Sequence, residues 1–151
     1  MMFFGWAILV ILVDQISKFY IQNTMVIGES FPVIKGIFHI TYIENTHTAF
    51  GLFKYQNVFF IIAAIISMVL AILIYKKIIF EKNPKMHISL LLILGGALGN
   101  LFDRIRIEGR VIDFLDFQIW PVFNFADMCI VCGMFIMLIY FLFISEKKKE
   151  E

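Results

Sequence analysis

MHISLLLILGGALGNLFDRI, residues 86–105, is apolar for most of its length and then presents Asn100, Asp103 and Arg104 at one end. A bilayer crossing takes about 20 such residues. Lipid offers no partner to backbone N–H and C=O groups, so the run reads as a transmembrane helix. Gly95 and Gly99 lie four apart and allow a neighbouring helix to approach closely. Gly96 shares a face with Asn100 and Asp103. The stretch therefore predicts a helix packed against partners in lipid, with polar groups emerging near one end.

The rest of the chain carries the same signature. Its 151 residues are 61% hydrophobic, with a mean hydropathy of +0.88, whereas soluble domains are about 45–50% apolar. Three further spans follow, over residues 2–22, 57–76 and 122–144. The first has no basic residue ahead of its apolar run, no small-residue cleavage pattern after it, and is interrupted by Asp14 and Lys18. It reads as a retained span rather than a cleaved leader. No long polar segment remains, so residues 1–151 form one membrane-embedded domain. A net charge of +1 argues against a nucleic-acid partner.

Four spans place both termini on the side of the 77–85 loop. That side carries seven basic residues (Lys76, Lys77, Lys82, Lys85, Lys147, Lys148 and Lys149) against five opposite (Lys35, Lys54, Arg104, Arg106 and Arg110). The termini are thus expected to be cytoplasmic, with loops 23–56 and 106–121 outside. The first loop is rich in β-branched and aromatic residues, punctuated by Gly28, Gly36 and Gly51, and reads as a small sheet or hairpin on the membrane surface. The second is short and amphipathic and suits a brief interfacial helix. The expected class is an all-α membrane protein: a four-helix transmembrane bundle with a small β-rich outer loop and a short amphipathic outer segment.

The polar residues then fall at one level. Asp14 lies roughly 18 Å along the first helix, and Asn100 and Asp103 roughly 21 and 26 Å after Met86. Asn124 and Asp127 open the fourth span, and Asn45 and Asp113 lie in the outer loops. Asn100 with Asp103, and Asn124 with Asp127, are i, i+3 pairs that share a helix face. Ionisable groups at such depth are rare and usually face a functional interior.

Several of these groups have simpler readings. Asp14 and Lys18, at i, i+4, suit an ion pair bracing the first helix, and Asp103 beside Arg104 suits an interfacial anchor as well as it suits catalysis. Asp116, Glu108, Arg106 and Arg110 read as a solvated loop face. His39, His47 and His87 lack ligand spacing and read as surface or interfacial groups. Cys129 and Cys132 form a C-x-x-C without a second pair, so neither zinc nor a disulfide framework is expected. No serine or cysteine has a nearby base. Paired carboxylates sharing one proton remain, one acting as base on water and the other as acid. On spacing alone, the partner of Asp127 is Asp103, Asp113 or Asp116.

Taken in order, D-Q-I-S-K (14–18), G-A-L-G-N-L-F-D-R (96–104), V-I-D-F (111–114) and W-P-V-F-N-F-A-D (120–127) resemble the motif set of the lipoprotein signal peptidases, the type II signal peptidases of bacterial membranes. The resemblance covers nearly the whole chain. It implies a cofactor-free, metal-free aspartyl endopeptidase of the cytoplasmic membrane, sensitive to globomycin, with its active site near the outer face. The implied partners are prolipoproteins carrying a diacylglyceryl cysteine, together with membrane lipids, and the implied state is monomeric. The implied catalytic pair is Asp113 and Asp127. Asp14, Lys18, Asn45, Gly99, Asn100, Asp103, Arg104, Asn124 and Ala126 match supporting or substrate-binding positions, and Asp116 matches none.

One motif departs from the family pattern. N-T-H-T-A-F-G (45–51) has His47 and Thr48 where small residues are usual, which bears on the local backbone and on sequence preference. An alternative from another class is a small proton-coupled transporter or channel subunit using Asp14, Asp103 and Asp127. It would need polar stepping stones through the inner half of the helices, and the sequence supplies few.

Overall fold

The computed structural model describes residues 2–45 and 84–143. The second expected span (57–76), the tail lysines and the 46–51 motif with His47 and Thr48 lie outside them. The described chain runs α1 (Met2–Thr24), β1 (Ser30–Ile34), β2 (Phe38–Asn45), α2 (Pro84–Arg106), β3 (Val111–Asp116) and α3 (Phe125–Phe143).

The three helices coincide with the expected first, third and fourth spans to within a few residues. Helix α2 packs against both of the others because its small residues permit it. A Cβ on Gly95 would stand 2.8 Å from the Cβ of Val10, and one on Gly99 would stand 2.6 Å from the Asp14 carboxylate, so α1 sits directly on this face. Gly96 meets α3 in the same manner, against Ala126 and Ile130. Further along, Met86, Leu90 and Tyr140 form the apolar core between α2 and α3. His87, expected near a surface, is buried there at the start of α2.

Outward-facing positions are apolar too. Trp6, Leu9, Ile16 and Phe19 on α1 and Val131, Phe135 and Leu138 on α3 are exposed. In water such stripes would be costly; against lipid they are the expected finish. Among the described helices, α2 has the length and hydropathy of a crossing on composition alone, and the apolar part of α3, Phe125–Tyr140, is shorter.

The described segments between the helices form one antiparallel sheet in the order β1-β2-β3. Gly36, at φ 75°, turns the chain between β1 and β2. Strand β1 carries Pro32 and a register irregularity and is exposed throughout, as suits an edge. β3 is almost wholly buried. Its Ile112 and Phe114 pack with Ile21 and Tyr42, which seats the sheet on the C-terminal end of α1.

The sheet corrects two expectations. An all-α class is too narrow, and the second outer segment is a strand rather than an interfacial helix. VIDFLD alternates poorly because both faces of β3 are covered, so its sequence lacks the half-buried pattern that would have revealed a strand.

Candidate active site

Five elements converge where α1, α2 and α3 reach the sheet. Lys18 lies fully buried on α1, its ammonium 2.9 Å from Asp14, 2.8 Å from Asp103 and 2.9 Å from the Oδ1 of Asn100. Both carboxylates are fully buried as well. Burying one charge is costly, but three groups so placed satisfy one another. Gln15 completes the cluster, donating to Asp14, to Asp103 and to the Gly99 carbonyl.

The cluster reaches outward through its remaining lone pairs. Asp14 Oδ1 accepts the Ala126 amide at 3.0 Å, and Asp103 Oδ2 accepts the Ile112 amide at 3.3 Å. Those amides belong to the residues immediately before Asp127 and Asp113. Two carboxylates of the cluster thus hold the backbone from which the other two project.

Asn124 links that second pair. Its side chain caps α3 by accepting the Asp127 amide at 2.9 Å, while its own backbone amide donates to Asp127 Oδ2 at 3.2 Å. This reciprocal bond is a capping box with an aspartate in place of the usual glutamate. The Asn124 side-chain amide also donates to Asp113 Oδ1 at 2.6 Å. Asn45, at the end of β2, donates to Asp113 Oδ2 at 2.7 Å, and Asn100 donates to Asp127 Oδ1 at 2.7 Å. Arg104 bonds the Asn100 carbonyl and feels the charges of Asp127, Asp113 and Asp103.

Asp113 is buried and Asp127 half-buried. Burial pushes the Asp113 carboxyl up to about 6; the Asn45 and Asn124 bonds oppose this, and the charge of Asp127 adds to it. Asp127 also opens into an apolar cleft of about 500 Å³ walled by Phe117, Ile119, Trp120, Phe123 and Met128. The raised Asp113 carboxyl thus shares Asn124 with Asp127, which borders an apolar cleft.

The three possible partners of Asp127 have different surroundings. Asp103 is engaged by Lys18. Asp113 shares Asn124 with Asp127. Asp116 is drawn into the sheet, bonded by Thr41 and Gln118, and is buried rather than part of a solvated face. Of the other groups assigned to that face, Glu108 is exposed, and Arg110 reaches back to pair with Glu44. Gly99 and Ala126 act by smallness: Ala126 is fully buried at the α2–α3 contact. Cys129 is buried and Cys132 exposed, both free.

Sequence reasoning passed over Gln15, Thr41 and Gln118. For Gln15 the signal was present, an amide beside Asp14 in an apolar helix. Thr41 and Gln118 had no such signal, since their roles depend on strand register. No cluster of three or more metal-type ligands occurs among the described residues.

Comparison with known proteins points in one direction. The family model described as "Signal peptidase (SPase) II" matches residues 6–143. A lipoprotein signal peptidase of Moorella thermoacetica is 44% identical over 131 residues, covering 87% of this chain and 86% of that one. Its counterpart in Desulfitobacterium hafniense is 47% identical over 147 residues, covering 96% and 92%. Among solved structures, a bacterial membrane enzyme at 2.3 Å resolution superposes with a TM-score of 0.84 at 34% identity, covering 99% of this chain and 93% of that one. A second, at 1.9 Å resolution, also gives 0.84 at 33% identity.

Proposed function

The chain belongs to the signal peptidase II family and is an integral membrane protein, and on that premise we propose that it is an aspartic endopeptidase that removes signal peptides from prolipoproteins. The bond cut is the one before the diacylglyceryl-modified cysteine. The observation that carries this reading is the sharing of Asn124: its side chain holds Asp113 while its backbone holds Asp127. The family match leaves the proton-coupled transporter without support of its own.

In the proposed reaction Asp113 starts protonated and Asp127 ionised. Asp113 holds its proton more readily than an ordinary carboxyl, because desolvation disfavours the charged form. Asp127 takes a proton from a water molecule as the water oxygen bonds to the scissile carbonyl carbon. When the C–N bond breaks, Asp113 delivers its proton to the leaving cysteine amine. Asp127 then carries the proton taken from water, and its transfer to Asp113 resets the pair. Asn45, Asn100 and Asn124 keep the carboxylates in register, and Arg104 supplies positive charge beside them. The site lies at the outer face of the cytoplasmic membrane, where a lipid anchor would hold the substrate's cysteine, and the protein acts as a monomer.

The decisive experiment offers the purified protein a diacylglyceryl precursor and the same precursor without lipid. Cleavage confined to the lipidated form, and stopped by globomycin, is the expected result. Equal cleavage of both forms, or proton flux in proteoliposomes with no cleavage, would overturn the proposal.

A further inference from the structure

Asp116 lies three residues beyond Asp113 on β3 and matches none of the motif positions, yet it is among the most heavily bonded carboxylates of the described chain. Its Oδ1 accepts the Gln118 backbone amide at 2.8 Å, closing an Asx turn. Its Oδ2 accepts the Gln118 side-chain amide at 2.6 Å and the Thr41 hydroxyl at 2.7 Å. Thr41 in turn bonds Ser30 at 2.7 Å, so the tie crosses all three strands.

The tie acts on a segment with an unusual backbone. Gln118 stands at φ 63°, a region that L residues other than glycine seldom adopt. Phe117 is held between Phe38 and Phe123, with ring centroids 4.9 and 5.9 Å away. Leu115 and Phe123 close the base of the loop by exchanging backbone hydrogen bonds at 2.8 and 3.0 Å. What projects from this frame is Ile119, 93% exposed, and Trp120, 69% exposed. Both wall the cleft into which Asp127 opens.

We propose that Asp116 is a positioning residue for substrate capture: by bonding Gln118 it sets the Ile119–Trp120 tip as the wall that holds the apolar part of the substrate beside Asp127. This rests on the reading of the protein as a peptidase. The tie touches neither Asn45, Asn100 nor Asn124, so it governs binding and leaves the chemical step alone. Asparagine can replace Asp116, because its carbonyl still accepts the Gln118 amide while the Thr41 hydroxyl and the Gln118 side chain reverse. Alanine cannot.

The test uses the full chain in lipid nanodiscs with Asp116→Ala, Asp116→Asn, Gln118→Gly and Gln118→Pro. Glycine accepts the positive φ, whereas proline imposes a φ of about −65°. For the lipidated precursor, the alanine and proline variants should raise KM about tenfold with kcat within about twofold, the signature of lost binding. The asparagine and glycine variants should stay near wild type. In a Trp6→Phe background, which leaves Trp120 as the sole indole, emission should shift in the alanine and proline variants and not in the other two.

Equal loss in the alanine and asparagine variants, a fall in kcat at constant KM, or unmoved Trp120 emission would overturn the proposal. If Asp116→Ala does not fold, the two Gln118 variants decide. A wild-type protein that cleaves nothing would overturn the peptidase reading instead, and Trp120 emission would still decide whether Asp116 sets the tip.

Discussion

Two pairs of aspartates are joined through the Ile112 and Ala126 amides and have different surroundings. Asp14 and Asp103 face a shared ammonium, fully out of solvent, with Gln15 and two backbone amides satisfying their remaining lone pairs. Asp113 and Asp127 are held by the amides of Asn45, Asn100 and Asn124, beside an apolar cleft. The first pair shares one buried cation at close range and bonds the backbone beneath the second. The second is hydrogen-bonded by neutral amides, with the Arg104 charge beside it rather than in an ion pair with either carboxylate. Acidity alone does not mark a catalytic carboxylate; what faces it does.

The largest effect should separate the pairs by function. Asp113→Asn or Asp127→Asn should lower cleavage of a lipidated precursor about 10³-fold, the scale of a lost acid or base, with thermal stability kept near wild type. Near wild-type turnover in either variant would remove the distinction. The converse experiment strips the buried pair of its cation. Lys18→Met should cost about 3–5 kcal/mol, read as a lowered unfolding midpoint, because two buried carboxylates lose their partner. Adding Asp14→Asn and Asp103→Asn should recover part of that loss, and an unchanged midpoint in Lys18→Met would show that the cluster is not structural.

A smaller effect tests the contact that brings α1 to the site. Gly99→Ala places a methyl group on the Asp14 carboxylate and should destabilise by about 1–3 kcal/mol. A midpoint equal to wild type would mean that α1 can shift without consequence.

The finest test is a pH profile. A carboxyl raised to about 6 binds its proton more tightly in the folded state. Its contribution to stability therefore declines as pH rises from the ordinary carboxylate range through 6. Cleavage that needs this proton should fall over the same upper limb of kcat/KM. Asn45→Ala removes a bond that lowers the value, so the limb should move to higher pH; movement to lower pH would contradict the assigned role of Asp113.

Much of this architecture is legible in the sequence. Three spans could be located to within a few residues because hydrophobic length is a property of the chain itself. The common depth of Asp14, Asn100, Asp103 and Asp127 followed from helical rise. The sheet was read only in part: Gly28 and Gly36 with β-branched residues indicated strands in the first outer segment, but buried β3 carries no alternation to reveal it. Asp116 was read as solvated because its bonds to Thr41 and Gln118 arise from strand pairing that spacing does not encode.

By itself the sequence determined the membrane class, the helices and the level at which polar groups gather, since these depend on local hydrophobicity and repeat. Motif resemblance pointed to Asp113 as the partner of Asp127, which spacing could not. Only the tertiary structure decided that Lys18 joins Asp14 to Asp103, that Asn124 bridges Asp113 and Asp127, and that Asp116 braces a loop. Each of those assignments is a contact between segments distant along the chain, and a carboxylate's chemistry follows from the charges and donors that such contacts bring to it.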